Sequence, residues 1–328
     1  MNILVIGLGS MGKRRIRLMK SHMPSVIISG VDKSQDRRSE TEQFFSIQTF
    51  SSVSDALASA PETAAAFVCT APLSHYSIIK ECLEKNLNIF TEINVISDGY
   101  KELIDLAKKN NLLLFLSSTF LYRKDVNYII DRINKDKCKC NYVYHVGQYL
   151  PDWHPWENFK DFFVGEKRTN GCREIFSIEM PWITKAFGNI TKINVIKDNI
   201  SKLDLGYPDN YIVQTVHENG NKGVLLVDIV SRMAVRKLEV FSEDYHIFWE
   251  GNPDSLYEYD LAAKENKKIE TYDEIERDSK YSKTIIENAY YQEIENFFDC
   301  LLSEGGGMPL HTFEKDLDIL NLIDKIEG

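Results

Sequence analysis

The sequence predicts an α/β protein with two parts: an N-terminal doubly wound parallel sheet, and a C-terminal α/β domain with a large open, mainly antiparallel sheet. Three observations carry this. The chain opens on a strand–glycine turn–helix pattern. Apolar runs and amphipathic stretches then alternate from residue 2 to about 122, as a sheet built from βαβ units requires. After residue 140 the apolar runs show alternation and turn signals instead. A length of 328 residues exceeds the usual size of one core, so the domains are set at 1–122 and 123–328, with the C-terminal helix able to pack back on the first.

The opening run Ile3–Ile6 ends in Gly7-Leu8-Gly9-Ser10-Met11-Gly12, and a basic helical run, 13–20, follows at once. In that context Gly7 permits the tight turn, Gly9 lets backbone approach a pyrophosphate, and Gly12 lets helix pack on strand. The uncapped N–H groups of the helix, starting at Ser10 and Met11, face the phosphates. A second apolar run, 26–31, ends at Asp32, twenty positions after Gly12. An acid at that separation accepts hydrogen bonds from the ribose hydroxyls and repels a 2′-phosphate, which favours NAD over NADP. Lys33, Arg37 and Arg38 soften that preference.

A polar stretch follows, then a short strand at 48–50 and a brief helix capped by Ser52 or Ser54. The strand 64–69 runs into Thr70-Ala71-Pro72, with His75 opening the next helix. Ligands of doubly wound sheets sit beyond the carboxyl ends of strands, so Thr70, Ala71 and Pro72 belong beside the cofactor. His75 is either a cofactor contact or a helix cap. Strand 87–91 leads into Glu92-Ile93-Asn94, helix 99–110 follows, and strand 112–117 closes the half.

In the second half the elements are a helix at 125–134, a strand at 140–149, a helix at 174–187 closed by Gly188, and strands at 190–195, 211–216, 223–230 and 237–241. Asn219-Gly220-Asn221 marks a hairpin. Val224, Leu226, Asp228 and Val230 share one sheet face, and Leu225, Val227 and Ile229 the other. Apolar residues on both faces suggest a subunit partner, hence a homodimer or homotetramer through this sheet. Two amphipathic helices, 282–303 and 312–326, end the chain, with Gly305–Gly307 as a hinge.

Composition excludes several classes. A net charge of −10 argues against nucleic-acid binding. The longest apolar run, near 112–116, is too short to span a bilayer, and no signal peptide precedes the first strand, so a cytoplasmic protein is expected. Six cysteines in a chain this long do not suggest a disulfide scaffold, and Cys138 and Cys140 find no second pair to complete a metal site.

With these residues in place, the chain resembles the glucose–fructose oxidoreductase / inositol dehydrogenase / MocA family of NAD(P)-dependent dehydrogenases. The resemblance rests on GLGSMG, Thr70-Ala-Pro-Leu-Ser-His75, Glu92 after a strand, Tyr122-Arg123, and a glycine before a helix near Gly171. It implies hydride transfer at a carbon of a sugar, polyol or nucleotide sugar. Members usually read Glu-Lys-Pro where this chain has Glu92-Ile93-Asn94, and isoleucine has no titratable proton. The family's aspartate and histidine fall on Ile175 and Glu179. Glu179, if an apolar pocket raised its pKa, or His154 would then handle the proton, with Glu92 contacting cofactor or substrate. Arg123, Trp153, Lys167, Arg168 and Arg173 suit a substrate: arginine offers a planar fork to anions, and Trp153, His154 and Trp156 form an aromatic wall for a sugar. Capped helix starts and loop anchors are the structural alternatives for the same residues. The 150–157 loop and the 167–174 run are similar to a branch of the family linked with bacterial surface-glycan sugar pathways. The expected function is an NAD(H)-dependent oxidoreductase acting on a sugar or nucleotide sugar. The rival is a cofactor-binding pseudoenzyme with a regulatory or scaffolding role.

Overall fold

The computed structural model describes residues 1–135, 138–155, 157–278, 284–303 and 307–328. The chain divides into two compact units, one of Met1–Thr119 with Tyr290–Asp318, the other of Phe120–Ala289 with Ile319–Gly328.

The first unit alternates strand and helix: β1 (Asn2–Ile6), α1 (Ser10–His22), β2 (Ile27–Val31), α2 (Gln35–Phe45), β3 (Gln48–Phe50), α3 (Val53–Ser59), β4 (Thr63–Val68), α4 (His75–Glu84), β5 (Asn88–Thr91), α5 (Tyr100–Lys109) and β6 (Leu114–Leu116). The six strands pair in parallel in the order β3-β2-β1-β4-β5-β6, the doubly wound arrangement the alternation predicts. The order reverses at β1, which places the glycine turn at the switch point. Side chains buried on both sheet faces explain the near-continuous apolar strands.

Phe67, Phe90 and Phe115 are in register on β4, β5 and β6, and their rings stack at 4.5 and 5.3 Å. Phe297 meets all three edge-on, at 5.0 to 5.7 Å. All four are fully buried, and emptying any one of these positions to alanine costs ~3–5 kcal/mol. The polar stretch after Asp32 turns out to be helix α2. Ser34 caps it by accepting from the Arg37 N–H at 3.3 Å, and only Thr41 and Phe45 are buried, so no apolar stripe announces it in the sequence. Of the two expected caps for α3, Ser52 accepts from the Asp55 N–H at 3.1 Å.

The second unit is built from α6 (Lys124–Lys135), β7 (Asn141–Gly147), α7 (Gly171–Phe187), β8 (Ile190–Asp198), β9 (Asn210–His217), β10 (Lys222–Asp228), β11 (Val235–Phe241), β12 (His246–Trp249), β13 (Tyr257–Asp260) and β14 (Glu265–Lys268). Its eight strands run in the order β14-β13-β12-β11-β7-β10-β9-β8. Only β7 and β10 pair in parallel among the described residues; the rest are antiparallel. In strand β9 buried residues alternate with half-exposed ones, Gln214 alone among them being fully exposed. Tyr142 of β7 stacks on Phe187 of α7 at 4.0 Å, and Tyr211 of β9 meets Phe176 edge-on at 5.6 Å, which fixes the face that α7 covers. Leu225 and Val227 lie on that buried face, while Val224 and Leu226 are half-exposed. On the open face Val143 and Ile196 stay exposed, at 46% and 61%.

The C-terminal helices are α8 (Glu287–Leu302) and α9 (Phe313–Glu327). Residues 282, 283, 305 and 306, part of the expected helix and hinge, lie outside the described residues. Among the described residues no helix is long and apolar enough to cross a membrane.

Candidate functional site

The glycine turn has the geometry of a nucleotide cradle. Gly7 takes φ +92°, and a Cβ there would sit 2.7 Å from the Cys69 carbonyl oxygen. A Cβ on Gly12 would lie 1.9 Å from the Gly7 carbonyl oxygen, so helix and turn touch backbone to backbone. A Cβ on Gly9 would meet nothing within 4 Å, so this position opens onto free space. Gly9 is also the N-cap of α1 and gives it no side-chain hydrogen bond. The first N–H groups of α1, beside exposed Ser10 and half-exposed Met11, therefore have no side-chain cap. That is the donor set a pyrophosphate needs.

Asp32 follows directly on β2, beside the glycine turn. Its carboxylate accepts from the Leu8 N–H and the Ser34 N–H, both at 2.8 Å, which locks it between the glycine turn and the cap of α2. Each carboxylate oxygen can accept twice, so both retain capacity for ribose hydroxyls. Arg37 lies 3.8 Å away on an exposed side chain. Arg38 is turned inward, donating to the Asp32 carbonyl at 2.7 Å and the Lys33 carbonyl at 3.1 Å, while Lys33 itself is exposed.

Beyond β4, Thr70 is half-buried, Ala71 exposed and Pro72 buried. His75 is 2% exposed, with Nε2 2.8 Å from the Thr70 carbonyl oxygen and Nδ1 2.5 Å from Asn94 Oδ1. Burial lowers its pKa against the pull of those two bonds. The ring thus ties the loop after β4 to the segment after β5.

Glu92, just past β5, accepts from Arg15 Nε at 2.7 Å and from Arg15 Nη2 at 3.2 Å. Arg15 Nη2 also donates to Glu293 Oε2 at 2.7 Å, and the Ser118 N–H donates to Glu293 Oε1 at 2.6 Å. Ser117 and Thr119 donate their hydroxyls to the same carboxylate, at 3.0 and 3.2 Å. Burial opposes the Arg15 charge, yet Glu92 and Glu293 outweigh it and raise its pKa; burial raises that of Glu293. Ile93 is half-exposed between buried Glu92 and Asn94.

In the second unit Glu179 is not in an apolar pocket, contrary to the condition set for it as a proton acceptor. Oε2 accepts from the Tyr144 hydroxyl and the Trp182 Nε1–H, each at 2.7 Å, and Oε1 from Arg236 Nε at 3.0 Å and Nη2 at 2.9 Å. About four lone-pair sites are available on a carboxylate, and these donors fill them. Burial, then the Glu179 charge, hold the Tyr144 hydroxyl protonated far above the usual phenol range.

Arg123 is likewise engaged within the protein. It binds Asp125 through Nε at 3.0 Å and Nη2 at 2.6 Å, and donates to the carbonyls of Gly251 and Thr284 at 2.9 and 3.0 Å. Arg173 pairs with Asp324 at 2.7 Å and Glu327 at 2.5 Å, so its fork holds the C-terminal turn of α9. Lys167 and Arg168 are exposed. Trp153 donates Nε1–H to the Gln148 carbonyl at 3.1 Å, with its ring edge 3.5 Å from where a Gly171 Cβ would stand. His154 pairs with Glu157 and lies 4.4 Å from the Phe162 ring. Trp156, the third member of the expected wall, lies outside the described residues.

Sequence reasoning missed Arg15, Arg236 and Tyr144, whose partners are distant in the chain. It also missed Glu174 in the first turn of α7. Its Oε2 is buried without a hydrogen-bond partner, and burial pushes its pKa up to about 7.

Comparison with known proteins sharpens the first unit most. No curated protein matches the chain by sequence. Among solved structures, a chain from Desulfitobacterium hafniense provisionally named an NADPH-dependent oxidoreductase superposes with a TM-score of 0.82 at 12% identity, covering 98% of this chain and 93% of that one. UDP-N-acetylglucosamine 3-dehydrogenase GnnA from Acidithiobacillus ferrooxidans gives 0.76 at 14% identity, covering 100% and 96%. The WlbA dehydrogenase from Bordetella pertussis, solved with NADH and UDP-GlcNAcA, gives 0.76 at 13% identity, covering 99% and 94%. At such identities these likenesses establish the fold. The profile of the oxidoreductase family with an NAD-binding Rossmann fold, Gfo/Idh/MocA, matches residues 1–118, the stretch that carries the glycine cradle and Asp32. Residues 1–118 thus match the NAD-binding Rossmann domain of the Gfo/Idh/MocA oxidoreductase family.

Proposed function

We propose that the chain is an NAD(H)-dependent oxidoreductase acting on a sugar or nucleotide sugar, with residues 1–122 binding the cofactor and 123–328 serving substrate and subunit contacts. The observation that carries the cofactor is the open space over Gly9, set between the backbone contact of Gly7 with Gly12 and the carboxylate of Asp32. Gly7, Gly9, Ser10, Met11 and Gly12 would hold the pyrophosphate and Asp32 the adenosine ribose. Thr70, Ala71 and Pro72 would line the next strand end, kept in place by His75. Bound there, the cofactor supplies a nicotinamide carbon that accepts or gives hydride. Asp32 supports NAD over NADP, because its fixed carboxylate repels a 2′-phosphate. Nucleotide sugars are supported by the fold likeness to GnnA and WlbA. The open sheet face bearing Val143 and Ile196 supports a homo-oligomer.

A second reading, a nucleotide-binding pseudoenzyme, is favoured by Ile93 at the lysine position and by the filled carboxylate of Glu179. Titration of NADH and NADPH by fluorescence, followed by turnover assays across UDP-sugars and keto sugars, separates the two. Tight NADH binding without turnover anywhere supports the second reading, and absence of NADH binding sinks both.

A further inference from the structure

The filled carboxylate of Glu179 directs attention to its partner. Arg236 stands on β11, and its Nε and Nη2 both reach Glu179 Oε1, at 3.0 and 2.9 Å. The two side chains differ in exposure, 2% for Glu179 and 19% for Arg236. The glutamate is thus spent inward, on Tyr144, Trp182 and the inner edge of the guanidinium, and the arginine is the member of the pair that faces out. A guanidinium carries five N–H donors in a fixed plane, so its outer edge still offers donors at ideal spacing for an oxygen. That plane is held rigidly. The guanidinium lies 4.8 Å from the centroid of half-buried Phe120, whose ring also has the Arg123 guanidinium at 5.0 Å. Phe120 follows the last residue of β6, Leu116, by four positions.

We propose that the outer edge of Arg236, backed by Glu179, is a ligand-binding site that takes a neutral acceptor oxygen, a hydroxyl or carbonyl of a sugar ring, rather than an anion. Charge decides the class. Arg236 is balanced by Glu179, and the neighbouring Arg123 by the two-pronged contact with Asp125 at 3.0 and 2.6 Å. An incoming carboxylate would lose hydration and find no net positive charge to compensate it, whereas a hydroxyl or carbonyl oxygen needs only a pair of aimed donors. Burial opposes the Arg236 charge, but Glu179 and then Tyr144 raise its pKa, so the group remains a donor throughout the working pH range. Arginine therefore orients this oxygen and takes no proton from it. The inference rests on the oxidoreductase reading given above.

The test uses the full chain loaded with NADH. The probes are UDP-N-acetylglucosamine, neutral at sugar carbon 6, and its 6-carboxylate counterpart, with binding measured by calorimetry on the unmodified protein, Arg236→Lys and Arg236→Met. Lysine keeps the charge opposite Glu179 but loses the planar fork. Expected is a preference of the unmodified protein for the neutral sugar. Arg236→Lys should lose that preference, with its affinity for the neutral sugar falling at least ~10-fold, while NADH affinity and the unfolding temperature stay near those of the parent. A merely structural arginine would change the unfolding temperature and leave the ratio of the two sugar affinities alone; that outcome overturns the proposal. So does a parent protein that binds NADH but prefers the carboxylate sugar, or binds neither sugar. Failure to bind NADH at all overturns the underlying reading instead.

Discussion

Arg15 and Glu92 form a two-pronged ion pair across 77 positions of sequence, with Nε to Oε1 at 2.7 Å and Nη2 to Oε2 at 3.2 Å. Neither can be removed cheaply, because Glu293 shares the same guanidinium at 2.7 Å. Arg15→Met leaves two carboxylates without their cation in a buried site, where breaking a pair costs ~3–5 kcal/mol. Urea unfolding of the variant should show that loss, and Arg15→Lys should recover part of it. A loss below ~1 kcal/mol would mean the cluster is hydrated like a surface pair.

Two of the three glycines should separate by experiment. Gly12→Ala places a Cβ against the Gly7 carbonyl at 1.9 Å, so the variant should lose stability and NADH binding together. Gly9→Ala meets no atom within 4 Å, so its unfolding temperature should match the parent while NADH affinity falls at least ~10-fold. Unchanged affinity in Gly9→Ala would remove Gly9 from the phosphate site.

Asp32→Ala should weaken NADH more than NADPH. The variant loses the acceptor of the ribose hydroxyls, and with it the charge that repels a 2′-phosphate. Hydrogen bonds to a charged group contribute ~1.5–3 kcal/mol, so a shift of ~10-fold or more in the ratio of dissociation constants is expected. Fluorescence titration of both nucleotides measures it. A parent protein that already binds NADPH more tightly would refute the assignment and turn attention to exposed Arg37, 3.8 Å from Asp32.

Glu174 gives a pH-dependent prediction. Burial raises its pKa from an ordinary 4.5 to about 7, so the folded state holds the proton more tightly than the unfolded one. Stability present below about 4.5 is therefore lost as pH climbs to about 7. Glu174→Gln cannot ionise and should unfold like the parent at pH 4. At pH 8 it should be more stable by ~1–3 kcal/mol, since one pKa unit is about 1.4 kcal/mol and the side chain is not fully shielded. Equal stability at both pH values would refute the shift.

Ile93→Lys restores a titratable group on a half-exposed position just past β5. With a nucleotide sugar as substrate, turnover should rise, within the ~10²–10⁴-fold range of general acid–base contributions. Unchanged turnover at unchanged NADH affinity would show that no substrate oxygen comes within reach of that side chain.

The first unit was largely legible because its signals are local. A glycine that must take φ +92°, and another that must let backbone touch backbone, can be read from spacing alone. Helix α2 escaped because it buries only Thr41 and Phe45, too little to mark a stripe. Strands β12 to β14 escaped because they are four residues each, and β14 is exposed throughout. The site residues divide in the same way. Asp32 is engaged by residues close in the chain or in the glycine turn. The surroundings of Glu179 come from positions 144, 182 and 236, and nothing along the sequence announces that Arg236 would face it. Arg123 and Arg173 read as substrate forks because composition shows a cation and not its partner; folding supplied Asp125, Asp324 and Glu327.

The first unit is discontinuous, and that sets an order on its making. The Ser118 N–H finds its acceptor on Glu293, 175 residues further on, and the rings of Phe67, Phe90 and Phe115 wait longer still for Phe297. During synthesis the parallel sheet emerges first and stays uncovered on that flank until α8 has left the ribosome. A chain cut short before α8 would expose three phenylalanines and leave Arg15 with Glu92 as its one remaining carboxylate of the pair, the kind of surface that chaperones and proteases recognise. Completion of the first unit in this way waits on a segment that the ribosome delivers about 170 residues after its sheet.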